Sequence, residues 1–307
     1  MSHALEDITV FERGWLSSNN ILLHGRDGEP ATLVDSGHCL HAEQTVALVR
    51  QALRPGESLT TLVNTHLHSD HCGGNAALQH AFGVRIVIPP GEADAIARWS
   101  EDALSYRATG QRMQRFMHDA VLRAGDTLTV GTRRWQALAA PGHDPHSLIL
   151  LDAQDGVLIS ADALWENGFG VVFPELDGER AFDDVAAVLD LIERLAPRLV
   201  IPGHGAPFAD VAGALSRARS RLAGFVADPA RHARHGAKVL LKYHLLEEQQ
   251  QALTELLRWW SSVPLVQRLW HRLQQPQGSL DAWAERLLRE LDQAGALQLQ
   301  DGIVKDR

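Results

Sequence analysis

The chain has 307 residues, 45% hydrophobic and 22% charged, with 25 Gly and 13 Pro; this ordinary globular composition excludes collagen-like, disordered and disulfide-stapled classes. A net charge of −9 excludes a strongly basic surface for phosphate backbones or anionic membranes. At about twice the usual single-domain length, one large domain with an appendage, or two domains, is expected.

The charge is uneven, −13 over residues 1–214 and +4 over 215–307. Cys39 and Cys72 are too few for a disulfide framework, which fits a reducing compartment. Residues 1–14 are polar and acidic without an export pattern, and no stretch approaches the roughly 18 uninterrupted apolar residues of a membrane helix. A cytoplasmic protein without a membrane partner is expected.

From residue 8 to 37, short apolar runs separated by turn signals (ITVF, NNILLH, GRDGEP, ATLVDSG) predict a β-meander. Helical spacing follows over 41–53, broken by Pro55-Gly56, and then a buried strand in SLTTLVNT. Residues 75–82 read as helix, 84–88 as strand, and 93–119 as a long Arg-rich helical excursion, either a lid or a packed flank. Strands at 127–130, 135–139, 148–151 and 157–160 precede a helix at 181–195 and a strand at 198–201. Two batches of strands, each closed by helices, predict an α/β fold of two face-to-face sheets with helices outside, a four-layer αββα sandwich rather than regular βαβ winding.

After Pro207 the sequence turns to helix formers, with breaks expected at Pro229, Pro264 and Pro276-Gln277-Gly278. The expected division is residues 1–214 and a C-terminal helical domain, 215–307. Its end, a helix capped by Ser279 and closed by Gly295 before an Asp-Gly turn, is winged-helix-like, although an accessory bundle with Leu and Trp as core is the plainer reading. Trp259, Trp260, Trp270 and Trp283 admit a homodimer contact, but helical tryptophans ordinarily serve their own core.

The strongest chemical signal is Thr65-His66-Leu67-His68-Ser69-Asp70-His71, where LTTLV runs out into Gly73-Gly74. On an extended backbone His66, His68 and Asp70 project to one side, and His71 swings in after the turn, so one strand end feeds two metals. Imidazole and carboxylate donors suit Zn(II), and also Fe or Mn. Four such groups would otherwise converge without a partner. His143 in Pro141-Gly142-His143, Asp162 after Ser160-Ala161 and His204 in Pro202-Gly203-His204-Gly205 each follow a predicted strand, and strand-end residues along one sandwich edge can converge.

Together these motifs resemble the metallo-β-lactamase superfamily over roughly residues 8–210. The resemblance implies that His66, His68 and His143 hold a first metal, that Asp70, His71 and His204 hold a second, and that Asp162 bridges them, a dinuclear centre as in glyoxalase II and related hydrolases. Two departures are Ala161, where Gly is common before the bridging Asp, and Asp144-Pro145-His146 in place of a small Thr-Pro-Gly type continuation. Two metals about 3.5 to 4 Å apart share a water and lower its pKa, so the expected nucleophile is hydroxide, with Asp70 as a proton shuttle. Asp35, ending VDSG, is the expected partner orienting a ligand histidine. Cys72 reads as a small buried thiol.

The fold and motif leave the substrate open. The leading expectation is a metal-dependent thioester or ester/lactone hydrolase with a small-molecule substrate; the alternatives are a β-lactamase-like nuclease or phosphodiesterase, which the net charge disfavours, and an iron oxidoreductase. Trp165 and Phe169 are expected at the pocket entrance. Tyr106 with Arg107, Arg112 and Arg115 would bind a carboxylate or phosphate on the substrate, a solvated helix face being the plainer reading of those arginines.

Overall fold

The computed structural model describes residues 4–273 and 278–307, so the break expected at Pro276-Gln277 lies outside the described residues. Six strands form the first sheet in sequence order: β1 (Ile8–Phe11), β2 (Asn20–Leu23), β3 (Ala31–Val34), β4 (Leu59–Val63), β5 (Arg85–Ile88) and β6 (Ala120–Val121). β1 to β3 are the predicted antiparallel meander. β3 to β6 run parallel, with α1 (Ala42–Ala52), the one-turn α2 (Ser69–Cys72) and α3 (Asn75–Phe82) in the connections.

The segment 93–119 is not one long helix. Only α4 (Ala93–Arg98) and α5 (Tyr106–Thr109) are helical, because Trp99, Ser105 and Gly110 take left-handed φ values of 53°, 60° and 71° and turn the chain out of helix each time. Leu104, Tyr106 and Phe116 bury against the first sheet's helical flank, which makes the excursion a packed flank.

The second sheet holds β7 (Thr127–Val130), β8 (Arg133–Ala139), β9 (Leu148–Asp152), β10 (Val157–Ala161) and β11 (Leu199–Pro202). β7 to β10 are antiparallel, and β11 joins parallel to β10 after α6 (Phe173–Asp177) and α7 (Phe182–Leu195). Side-chain alternation builds the layers. Val34, Val63, Leu148, Leu150, Val157, Ile159 and the fully buried Trp135 meet between the sheets. Leu33 and Leu62 face the α1 and α3 side, whereas Ile149, Leu151, Leu158 and Val200 face α7. The architecture is the expected αββα sandwich.

The remaining elements are α8 (Val211–Ala227), α9 (Pro229–Glu248), β12 (Gln250–Ala252), α10 (Leu253–Ser262), α11 (Pro264–Arg272), α12 (Leu280–Gln293), β13 (Leu297–Gln300) and β14 (Ile303–Asp306). Pro229 and Pro264 open α9 and α11, where a missing N–H is harmless. Ser279 caps α12 by accepting from Ala282 N at 3.2 Å, and Asp301 and Gly302 supply the positive φ pair of the hairpin turn. β12 adds a third strand beside β14.

Position 215 falls inside α8, whose Leu215, Ala218, Leu222 and Phe225 belong to the core under the second sheet. A separate apolar cluster joins Val171 and Leu176 of the α6 region to the elements from α9 onward and includes Leu241, Leu256, Trp260, Leu269 and Leu287. Trp260 and Trp283 are buried with rings 5.2 Å apart, Trp270 packs on Trp283, and Trp259 stacks on His244, so the four tryptophans pack within this tail. Among the described residues no helix is long and apolar enough to cross a membrane.

Candidate metal centre

β8, β10 and β11 run in the same direction, so the loops after their ends open at one edge of the second sheet, bringing in His143, Asp162 and His204. The loop after β4 meets them from the first sheet. Its four polar residues are not presented by strand alternation, since β4 ends at Val63 and Ser69–Cys72 forms α2. His66 and His68 therefore join His143 in one group, while α2 turns Asp70 and His71 into a second group with Asp162 and His204; within each, the donor atoms lie within 4.8 Å of one another.

The outward nitrogens of the imidazoles fix how the rings are aimed. His143 Nδ1 donates to Val171 O at 2.6 Å, His204 Nδ1 to Gly14 O at 3.1 Å and His71 Nδ1 to Asp35 Oδ2 at 2.8 Å. Thr65 Oγ1 donates to Asp35 Oδ2 and so accepts from His66 Nδ1, at 3.1 Å. With Nδ1 protonated, the Nε2 atoms of His66 and His143 present lone pairs to the interior, whereas those of His71 and His204 face the Asp162 and Asp70 carboxylates, and the charge of Asp162 outweighs burial and raises both imidazoles above the usual value. His66 Nε2 and His143 Nε2 both face His68 Nδ1, at 3.1 and 2.7 Å, while His71 Nε2 is buried without a hydrogen bond. Lone pairs aimed at one another fit a shared cation, so each group could hold a divalent metal ion.

Charge is arranged to match. Burial, then the charges on His71 and His68, press His66 well below the usual imidazole value, and burial with His68's charge lowers His143 to about 4. Burial opposes ionisation of Asp70, but the charges on His71 and His204 outweigh it and hold the carboxyl at about 2. Asp162 stays ionised against burial through the same two histidines. Its Oδ2 lies 3.4 Å from His143 Nε2 and its Oδ1 3.3 Å from His71 Nε2, so one carboxylate faces both groups.

Asp35, buried and at φ 58°, also accepts from Thr65 N at 2.9 Å. Through Thr65 and His71 it orients donors of both groups. Asp35→Ala is expected to weaken metal binding by about 10- to 100-fold, measured by chelator competition; wild-type affinity would refute this role.

A cavity of about 440 Å³ opens over both groups, lined by His68, Asp70, His143, Asp162 and His204. Trp165 and Phe169 line it as expected, and Trp165 Nε1 donates to Asp162 Oδ1 at 3.2 Å. Tyr106 and Arg112 do not: the buried Tyr106 donates to Leu67 O behind the metal loop, and Arg112 pairs with Glu248 on the surface. Arg107 pairs with Asp102, and Arg115 is exposed. Cys72 is buried and its thiol donates to Leu67 O and His68 O, each at 3.3 Å; burial raises its pKa well above the usual value.

Several neighbours gave no local sequence signal. Trp15 stacks on His204 at 5.4 Å, Phe173 packs on His68 and His143, and Tyr243 of α9 meets Ser69 at 2.9 Å. Of the two departures, Ala161 occupies φ 45°, a region that favours Gly, and Asp144 is buried with Oδ2 3.8 Å from His68 Nε2.

An acyl-coenzyme A thioesterase MBLAC2 from Bos taurus is 31% identical over 160 residues, 46% of this chain and 54% of that protein. A hydroxyacylglutathione hydrolase from Bradyrhizobium sp. (strain ORS 278) is 33% identical over 171 residues, 54% of this chain and 55% of that protein. The chain thus spans about half the length of the curated relatives it matches. A solved metallo-beta-lactamase family protein from Thermus thermophilus shares the fold over 99% of each chain, with 21% identity and a TM-score of 0.57. The family described as the metallo-beta-lactamase superfamily matches residues 13–204, a span that contains every donor of both groups, and to that superfamily this chain belongs.

Proposed function

We propose that the protein hydrolyses an acyl group from a thiol carrier, with His66, His68 and His143 holding one divalent ion, Asp70, His71 and His204 a second, and Asp162 shared between them. The observation that carries this reading is the cavity itself, in which the two donor groups meet an apolar wall of Phe169, Val171, Phe173 and Leu240 suited to an acyl chain. The relatives named for acyl-coenzyme A and hydroxyacylglutathione hydrolysis support it. Zn(II) is the proposed ion, as five imidazoles and two carboxylates suit it. Divalent ions there would lower the pKa of a water and polarise the acyl oxygen.

The side chains supply the rest. Trp165 Nε1 fixes the Asp162 carboxylate, and Trp15 stacked on His204 shields that ring from solvent. Asp70 Oδ2 lies 3.1 Å from His204 Nε2 and borders the cavity. There Asp70 takes the proton of the attacking water and delivers it to the departing thiolate. Water and acyl thioester thus give carboxylic acid and free thiol.

The test is thiol release from acyl-glutathione and acyl-coenzyme A thioesters by zinc-loaded protein, with Asp70→Ala as control. Turnover is expected in the wild type and a loss of about 10²-fold or more in the variant. No thiol release from protein carrying two metals would overturn the reading.

A further inference from the structure

Residues 211–242, which span α8 and most of α9, carry seven Lys or Arg against a single acidic residue, Asp228. Most have partners: Arg219 pairs with Asp190 and Glu193, Arg234 and Lys238 with Glu290, and Lys242 with Asp306. Among the described residues, Arg221, Arg231 and His235 have no acidic side chain within 4.0 Å. With Ser216, Arg217 and Ser220 they line a groove of about 610 Å³. Arg221 and His235 line the cavity over the metal groups as well, so the two spaces adjoin across these side chains.

Arg221 is built into this junction. Half-buried, it crosses the 165–168 turn at Gly168, whose φ is 133° and where a Cβ would meet the guanidinium. Arg217 Nε holds the same turn through Glu166 O at 2.8 Å. Burial, then the charges of Arg221, Lys238 and Arg231, drive His235 down to about 4, so it adds no positive charge of its own near neutral pH. Two guanidinium groups, the spare donors of Arg217 and two serine hydroxyls exceed what one carboxylate can accept, and they match the oxygens of a phosphate.

We propose that the α8–α9 groove seats a phosphate on the carrier half of the substrate, so that the preferred thioester has a phosphorylated thiol carrier. The substrate class rests on the thioesterase reading; the groove's affinity for phosphate does not.

The same acyl group is presented on coenzyme A and on phosphate-free pantetheine, to wild type, Arg231→Ala and Arg231→Lys. In the wild type kcat/KM is expected to favour the coenzyme A thioester by about tenfold or more. Arg231→Ala should remove most of that preference without changing pantetheine-thioester turnover, and Arg231→Lys should restore part of it. Calorimetric titration with free coenzyme A tests the groove without catalysis: binding weakened by Arg231→Ala supports it even if no thioester turns over, and then only the thioesterase reading falls. Equal turnover of both thioesters in the wild type, an Arg231→Ala loss shared by both, or coenzyme A binding indifferent to Arg231 would overturn the proposal.

Discussion

Asp162→Ala is expected to lower kcat/KM by more than about 10³-fold, roughly 4 kcal/mol of transition-state stabilisation, while leaving the fold in place. The carboxylate faces His143 with one oxygen and His71 with the other, so its removal takes a donor from between both groups at once. The fold is independent of it because the core between the sheets is apolar and Asp162 lies beyond the end of β10. Circular dichroism and the melting temperature of the metal-free variant should stay close to wild type, whereas metal content and turnover fall together. Full activity in purified, metal-counted variant would sink the assignment.

A single added methyl group should be nearly as damaging. Gly203 has no room for a side chain: a Cβ there would collide with Asp162 Oδ1 and lie 3.0 Å from His71 Cε1. The backbone cannot retreat, since Gly203 N donates to Ala161 O at 2.7 Å and Gly203 O accepts from Asn19 N at 2.6 Å. Gly203→Ala should therefore displace His71 and the shared Asp162 while leaving the three imidazoles of the first group in place, cutting turnover by about 10²-fold. Elemental analysis should show the metal content falling toward one ion per chain. Two bound metals with unchanged kcat would contradict this picture of the site.

The sandwich was legible because apolar alternation and turn residues are local properties, and each sheet is assembled from such runs. The donor residues were legible for a similar reason, as each follows a strand whose end could be located. Their grouping was less so. The reading of His66, His68 and Asp70 as one extended face missed α2, a single helical turn too short to leave a periodic signal. The 93–119 excursion failed as a helix because non-glycine residues at positive φ interrupt it, and such interruptions are imposed by packing. Trp15 was invisible as a site residue, since the His204 ring it stacks on is brought there by the fold. Tyr106 was misplaced because its hydroxyl serves the back of the metal loop.

The donor set also has an order in time. At synthesis rates of about 5–20 residues per second, His204 follows His66 by on the order of ten seconds. Through that interval the first sheet can form while His66, His68, Asp70 and His71 wait without their partners. His143 completes the first triad, and only after β11 does the second close. The metal centre is thus a late seam, joined when the second half of the sandwich docks on the first.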